Sequence, residues 1–201
     1  SIVVKRPSTP DAPSGAIFDA LEHSHVQPGD VSYFVLGTTV GVNALLQRKG
    51  ARVLYITTKG FEDVPFLQRV DRKFHYDLDW ERPAPLVMRR DCLGVAERLD
   101  YKGQVVDELT LEALVSLGNE LRACLERNPN HEVAIAINCL FSYVRPDHER
   151  LIRDYLAREF PDVPVSVSHE VAPIWREYER ASTTIADAYI RPLLQSFIGA
   201  L

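Results

Sequence analysis

The sequence predicts an α/β protein with an open, mostly parallel or mixed β-sheet and helices on both faces. Short runs of consecutive apolar residues recur along the chain, and such runs are typical of strands buried in parallel sheets. They occupy residues 32–36, 53–57 and 133–137. Stretches with apolar residues at helical spacing lie between them, and the alternation of the two patterns favours a layered α/β architecture.

The first predicted elements are a strand and a helix. Residues 2–5 form an apolar run that predicts a short strand, and three prolines then mark a turn-rich connector. Residues 14–24 predict a helix, because Ile17, Phe18 and Leu21 fall on one face at helical spacing.

A β-α-β unit is predicted next. The buried strand at residues 32–36 precedes a helix over about 40–49, and a second strand covers 53–57. Gly50 stands where a glycine commonly ends a helix. Two parallel strands joined by a helix imply a right-handed crossover.

The rest of the chain continues the alternation after an irregular stretch. Residues 60–90 are rich in charge and aromatic side chains, which predicts a functional loop or a small excursion. The remaining predicted elements are a strand pair at 93–99 and 104–106, a helix from the capping Thr110 to about Arg127, a strand at 133–137, a helix beginning at Pro146, a strand at 163–167 and a helical segment over 174–201. We therefore expect one region over residues 1–201, with an irregular excursion at about 60–105.

Composition and charge exclude some functions. The 201 residues carry a net charge of −5, and the share of hydrophobic and charged residues is ordinary for a soluble globular protein. Binding to nucleic acid or to an anionic membrane needs clustered positive charge, so we expect neither partner. No run approaches about 18 apolar residues, so no membrane span is expected.

The cysteines and the first residues of the chain indicate the cellular compartment of the protein. Cys92, Cys124 and Cys139 are far apart, odd in number and set in apolar surroundings. We expect reduced, buried thiols in a cytoplasmic protein. The first residues are too polar for a signal peptide and lack an initiator Met, so we expect the sequence to begin inside a longer chain.

The clearest candidate binding segment is Gly37-Thr38-Thr39, where a predicted strand gives way to a helix. A glycine turn, two hydroxyls and the free N–H groups of a helix start can together hold an anion. Asn43 lies on the same face one turn later and can reach the same ligand. The alternative is that Thr38 or Thr39 is an N-cap, which the spacing alone favours. Neither a P-loop nor a dinucleotide-binding glycine pattern occurs.

Two further candidate binding segments follow predicted strands or lie at the start of predicted helices. Asn138 and Ser142 come after a buried strand, where ligand contacts are usual in open α/β sheets, although turn chemistry explains them equally well. His148-Glu149 and His169-Glu170 look like two halves of a metal site, but the spacing differs from H-E-x-x-H and we expect no metal. His148 is kept as a ligand-contacting candidate because histidine titrates near neutral pH.

A family resemblance spans nearly the whole chain. The blocks that carry it are residues 37–52, 57–64, 85–87, 94–98, 141–149, 168–173, 177–184 and 188–189. In these blocks the sequence resembles the hydantoinase A/5-oxoprolinase family, which includes ATP-dependent 5-oxoprolinases, N-methylhydantoinases and subunits of acetone and acetophenone carboxylases. The resemblance implies an acetate-kinase/sugar-kinase/actin-like (ribonuclease-H-like) fold and a reaction in which ATP phosphorylates a carbonyl or enol oxygen.

The sequence departs from the family pattern in three places. The family's Gly-Gly-Thr-Phe-Thr-Asp phosphate loop is absent before Ser1, and the second lobe is absent after Leu201. We therefore expect ATP and Mg²⁺ to belong to the full enzyme rather than to be retained by this chain. The family often has His before Gly-Thr-Thr, whereas Leu36 stands there.

Site residues implied by the resemblance fall in two blocks. Gly37, Thr38, Thr39 and Asn43 match the family's strongest block, which implies that they line the cleft between two lobes. Arg69 matches a position where the family commonly has Arg, which implies contact with substrate or phosphate.

The function expected from the resemblance is ATP-dependent hydrolysis of a cyclic amide, activated by phosphorylation of its carbonyl. The alternatives are a subunit of an ATP-dependent ketone carboxylase and a non-catalytic assembly module. The expected partners are a small cyclic amide or ketone, the missing carboxyl-terminal lobe and a B-type hydantoinase subunit. Aromatic residues of the excursion could form the surface for that subunit, namely Phe61, Phe66, Phe74, Tyr76 and Trp80.

Overall fold

The central sheet has four strands that all run parallel. The computed structural model describes residues 3–7, 13–71, 74, 76–127, 129 and 131–201. The four strands are β1 (Arg52–Thr58), β2 (Cys92–Val95), β5 (Val133–Asn138) and β6 (Val165–Val167). Their order across the sheet is β2-β1-β5-β6. This arrangement confirms the predicted α/β class with a mostly parallel sheet.

A separate two-stranded sheet, seven α-helices and two short 3₁₀ helices (Pro28–Asp30 and Arg89–Asp91) complete the described structure. β3 (Arg98–Leu99) pairs antiparallel with β4 (Val105–Asp107). The helices are α1 (Pro13–Ser24), α2 (Val40–Gln47), α3 (Val64–Leu67), α4 (Leu111–Glu126), α5 (Asp147–Glu159), α6 (Ser168–Val171) and α7 (Glu177–Gly199). Thr110 caps α4 as predicted, because its Oγ1 accepts the N–H of Ala113 at 3.2 Å. In this part of the chain no helix is long and apolar enough to span a membrane.

The strands bury side chains on both faces, as their continuous apolar runs predicted. Along β1, Leu54 and Ile56 point to one face, where they pack with residues of α4 and α5. Val53 and Tyr55 point to the other face and pack with residues of α7. Helices therefore cover both faces of the sheet.

The strand predicted at residues 32–36 is wrong. These residues form no ladder with any described strand, and Tyr33 and Val35 are 84% and 75% exposed. A strand needs a hydrogen-bonding neighbour, and an apolar run alone does not supply one. The predicted β-α-β unit is therefore reduced to α2 followed by β1. Of the strand predicted at residues 2–5, residue 2 lies outside the described residues, and residues 3–5 are not in a strand.

Two other predictions need correction. Residues 93–99 do not form one strand of a hairpin, because β2 joins the main sheet and β3 pairs with β4. Gly50 does not end α2. Arg48 ends it instead, in the left-handed conformation at φ 55°, and its side chain donates to the carbonyl oxygens of Ala84 and Pro85.

Candidate functional site

Four of the predicted site residues lie together in an open groove. Gly37, Thr38, Thr39 and Asn43 line a cavity of about 1240 Å³ between α1, the segment before α2 and the last turns of α7. Asn43 Nδ2 donates to Thr39 Oγ1 at 3.3 Å, so these two polar side chains are held side by side at one position. All four residues are exposed and free to meet a ligand.

The hydrogen bonds at the start of α2 show how the side chains of Thr38 and Thr39 contribute to capping the helix. Thr39 occupies the N-cap position but makes no capping hydrogen bond through its side chain. Thr38 Oγ1 instead accepts the N–H of Val40 at 3.2 Å. One helix-start donor is thus satisfied by Thr38, while the hydroxyl of Thr39 faces Asn43. The other N–H groups of the first turn lack partners within the helix, as at any helix start.

Apolar side chains and two cations also line the groove. Ile17, Phe34 and Phe197 contribute apolar surface from three separate segments. Lys49 and Arg6 also line it, and Arg6 forms an ion pair with Asp19. Among the described residues, those that line this groove include no carboxylate. The groove therefore suits a ligand with an apolar part and an anionic group.

Asn138 lies elsewhere, in a buried cluster at the carboxyl end of β5. Its Nδ2 donates to the hydroxyl oxygen of Tyr55 at 3.0 Å, and its Oδ1 accepts from Arg180 Nε at 2.7 Å. Arg180 is fully buried, and its other nitrogens donate to the carbonyl oxygens of Cys139 and Ile174. Burial raises the pKa of Tyr55 to about 12, so this hydroxyl stays protonated at neutral pH.

Ser142 belongs to a second buried cluster around Glu149. Glu149 accepts from the N–H of Cys139, from the hydroxyl of Ser168 and from the N–H and Nδ1 of His169. The hydroxyl of Ser142 bonds that of Ser168 at 3.0 Å. The carboxylate of Glu149 therefore ties together the ends of β5 and β6, and Ser142 supports that tie.

His148 pairs with a carboxylate from another part of the chain. Its Nδ1 lies 2.6 Å from Oε2 of Glu97, which lies two residues after the end of β2. The hydroxyl of Thr58, the last residue of β1, donates to the other oxygen of Glu97. The two halves of the suggested metal site meet through His169 and Glu149, whereas His148 pairs with Glu97 instead. Among the described residues, no group of three or more His, Cys, Asp or Glu side chains is arranged to hold a metal ion.

Arg69 lies apart from both places, on the surface of the excursion. Its Nε donates to Glu179 of α7 at 2.8 Å, and its side chain is 62% exposed. The structure therefore brings the predicted residues together in two sets, one in the groove and one at the strand ends. Arg69 belongs to neither set. Arg180 and residues 193–197 of α7 mark these two places, and at a rise of about 1.5 Å per residue they lie roughly 20–25 Å apart. One small ligand cannot contact both sets at once.

Sequence reasoning missed three residues at the strand ends. Thr58 ends β1 and Glu97 follows β2, so the rule that led to Asn138 would have found them had strand β2 been recognised. Arg180 carries no such signal, because it comes from a helix that reaches the edge only in the folded protein. Thr58 and Glu97 also line a depression of about 790 Å³, together with Lys59, Arg98 and Phe141 among others.

Burial makes Cys92 and Cys139 poor nucleophiles. All three cysteines are free and buried, as predicted. Burial raises the pKa of the Cys92 thiol to about 12 and that of Cys139 well above its ordinary value. Thiol chemistry depends on the thiolate, so these residues serve packing at neutral pH.

Comparison with known proteins places the chain in a family. A sequence model described as the hydantoinase/oxoprolinase N-terminal region matches residues 1–160. The chain belongs to this family, which confirms the resemblance seen in the sequence blocks.

Relatives and solved structures agree with this assignment. The chain is 32% identical over 220 residues to the acetophenone carboxylase gamma subunit of Aromatoleum aromaticum, covering 98% of this chain and 29% of that protein. It is 29% identical over 225 residues to 5-oxoprolinase of Saccharomyces cerevisiae, covering 96% of this chain and 17% of that protein. The crystal structure of ATP-dependent caprolactamase from Pseudomonas jessenii superposes with a TM-score of 0.81 at 28% identity, covering 98% of this chain and 29% of that one. The chain thus spans less than a third of each of these proteins.

Proposed function

We propose that this chain is the amino-terminal part of an ATP-dependent enzyme that opens a cyclic amide after phosphorylating its carbonyl oxygen. The observation that carries the proposal is the family match over residues 1–160, which includes the groove at Gly37–Asn43. Relatives named 5-oxoprolinase and ATP-dependent caprolactamase support cyclic amides as the substrate class.

The groove is the proposed place for the phosphates of the nucleotide. The hydroxyl of Thr39, the amide of Asn43 and the first-turn N–H groups of α2 are donors that can meet phosphate oxygens. Lys49 adds positive charge at the groove wall. Because the described lining residues offer no carboxylate, Mg²⁺ would bind to the phosphates and to ligands beyond these residues.

A ketone carboxylase is the second candidate. The identity to the acetophenone carboxylase gamma subunit is as high as that to the hydrolases, so the sequence relationship favours neither substrate class. Relatives named as subunits also support a partner subunit for this chain. The free, buried cysteines support a cytoplasmic setting.

The assembly-module alternative has its own observation. Tyr76 and Leu78 of the excursion are 100% and 89% exposed, and exposed aromatic and apolar side chains are common at the centres of protein interfaces. A surface of this kind is compatible with catalysis elsewhere in the same chain. It therefore supports the binding of a partner subunit without excluding an enzymatic function.

The test is nucleotide turnover by the chain together with the region that its relatives carry in addition. ADP release would be measured with Mg-ATP and each of four additions: 5-oxoproline, hydantoin, caprolactam, and acetophenone with bicarbonate. Turnover that depends on a cyclic amide and yields the ring-opened product supports the proposal. Turnover that depends only on the ketone supports the carboxylase. Calorimetry on this chain alone and with the added region tests Mg-ATP binding, and complex formation without any nucleotide binding would leave the assembly module.

A further inference from the structure

Apolar side chains stand next to the polar donors of the groove. Phe34 and Leu36 come directly before Gly37-Thr38-Thr39 in the chain, and both line the same cavity. Consecutive Cα atoms are about 3.8 Å apart, so the Cα of Leu36 lies at most about 11 Å from that of Thr39. A small ring in contact with Leu36 is therefore within reach of a phosphate held by Thr39.

The groove has room for phosphates and a ring together. Its volume is about 1240 Å³, whereas a pocket for one drug-sized ligand typically has about 300–1,000 Å³. Ile17 of α1 and Phe197 of α7 line the cavity from two further elements, and Phe197 is only 7% exposed. Apolar surface from three segments of the chain can therefore contact a bound ring.

The charges of the groove leave little to hold a second anion beside these apolar side chains. Among the described lining residues, only Arg6 and Lys49 are cations. Nε of Arg6 lies 3.1 Å from Oδ2 of Asp19, so its charge is already compensated. Lys49 follows the far end of α2, which spans about 12 Å, whereas Thr39 precedes its start. A substrate carboxylate placed against Leu36 would therefore lose water without gaining a cation.

We propose that the cyclic amide is an uncharged ring with an apolar edge, and that Leu36 determines the preference for it over a ring that carries a carboxylate. The substrate class rests on the proposed function, because the ring lies beside the phosphates held at Thr39 and Asn43. Its carbons contact Leu36 and Phe34, while its carbonyl oxygen faces the terminal phosphate. The carbonyl oxygen bonds the terminal phosphorus as ADP leaves, and water then opens the ring and releases phosphate.

Two matched substrates test this preference in the chain joined to the region that its relatives carry. 2-Pyrrolidone and 5-oxoproline share the same lactam ring and differ in a single carboxylate. With Mg-ATP, kcat/KM should be at least about tenfold higher for 2-pyrrolidone, because the carboxylate of 5-oxoproline loses hydration against the apolar wall. A higher kcat/KM for 5-oxoproline would overturn the proposal.

Leu36→Lys tests the role of this residue, because it places an ammonium group on the wall that contacts the ring. The ratio of the two kcat/KM values should shift toward 5-oxoproline by at least about tenfold. Leu46→Lys is the matched control, since Leu46 is 78% exposed on a part of α2 outside the groove lining. It should keep the native ratio.

Leu36→Ala keeps the wall uncharged and tests its apolar contact. It should lower kcat/KM for caprolactam more than for 2-pyrrolidone, because the larger ring buries more methylene groups and each contributes about fourfold. An unchanged substrate ratio in Leu36→Lys, or equal losses for the two lactams in Leu36→Ala, would contradict the assignment of Leu36.

Methyl NMR of the chain gives a readout that needs no turnover. The methyl resonances of Leu36 should shift with 2-pyrrolidone, and saturation should need an at least about tenfold lower concentration than with 5-oxoproline. No shift at Leu36, or tighter binding of 5-oxoproline there, would overturn the proposal. Absence of turnover with every cyclic amide would defeat the proposed function instead, and the NMR titration would still decide whether the groove prefers an uncharged ring.

Discussion

Arg52 and Asp91 form a two-pronged ion pair inside the protein. Nε of Arg52 donates to Oδ2 of Asp91 at 2.9 Å, and its Nη2 donates to Oδ1 at 2.5 Å. Arg52 begins β1 and Asp91 ends the turn that leads into β2, so the pair joins the starts of two neighbouring strands. The hydrogen bond to Asp91 raises the pKa of Arg52, and Asp91 itself is fully buried.

Asp91→Asn should lower the free energy of unfolding by about 3–5 kcal/mol, because it removes the fully buried carboxylate that pairs with the Arg52 guanidinium. Urea denaturation of the chain measures the change. Asp63→Asn is the control, since the ion pair of Asp63 with Arg89 has 60% and 52% exposed side chains. Its removal should cost less than about 1 kcal/mol. Equal losses in the two variants would contradict the distinction between buried and exposed pairs.

Gly50→Ala should destabilise the chain strongly. A Cβ at this position would lie 2.2 Å from Cε1 of Tyr189 and 2.6 Å from the Tyr189 carbonyl oxygen, and the second of these belongs to the backbone of α7. Because α7 packs along the sheet, it cannot move without loss of core contacts, and we expect a cost of at least about 2 kcal/mol. Gly15→Ala is the matched control, because nothing lies within 4 Å of its added Cβ. It should stabilise α1 by about 0.5–1 kcal/mol. A thermal melt that ranks the two variants in the opposite order would refute the packing argument.

The strands that the sequence predicted correctly are those whose neighbouring strands lie within the described residues. Residues 53–57 and 133–137 became β1 and β5 because each has a strand on both sides. Residues 32–36 have an equally apolar pattern but pair with no strand in the part of the chain that the structure describes. Hydrophobic pattern reports the tendency to be buried, whereas pairing depends on which other strands are present.

The sequence predicted the candidate site only where its residues lie close together along the chain. The cluster of Gly37, Thr39 and Asn43 lies within two turns of one helix start, so its spacing in the sequence gives its geometry. The partnership of Glu97 with His148 crosses 51 residues and depends on how β2 and α5 end at one sheet edge. The full burial of Arg180 has no signal in the sequence, because charge usually marks a surface. The role of Arg69 and the single-region organisation of residues 1–201 stay predictions.

The stability of the chain should fall in alkaline solution through Tyr55. Burial raises the pKa of Tyr55 to about 12, whereas an unfolded tyrosine titrates near about 10. Between these values the unfolded chain loses the phenolic proton while the native chain keeps it. The contribution is therefore complete below about pH 10, is lost as pH rises toward 12, and amounts to roughly 2–3 kcal/mol in all.

Urea denaturation at pH 9 and pH 11 measures this effect. Tyr55→Phe should show a flatter fall in stability between the two values, after a loss of about 1 kcal/mol at pH 9 from the missing hydrogen bond with Asn138. The fall should not vanish, because the pKa of Cys92 is raised to about 12 and acts in the same direction. Tyr76→Phe, at a fully exposed tyrosine, should leave the pH dependence unchanged. An identical pH profile in Tyr55→Phe and the native chain would show that Tyr55 titrates normally.

Thr39→Ala and Asn43→Ala should each weaken Mg-ATP binding by about tenfold in the chain joined to the region that its relatives carry. Each variant removes one donor to a charged phosphate oxygen, and such hydrogen bonds contribute about 1.5–3 kcal/mol. The two side chains contact each other, so the double variant should lose less than the product of the single effects. Thr183→Ala is the control, because this exposed threonine on α7 bonds only the carbonyl oxygen of Glu179. If calorimetry shows native affinity in both single variants, the nucleotide does not bind in the groove. The apolar side chains of the groove would then contact a different ligand.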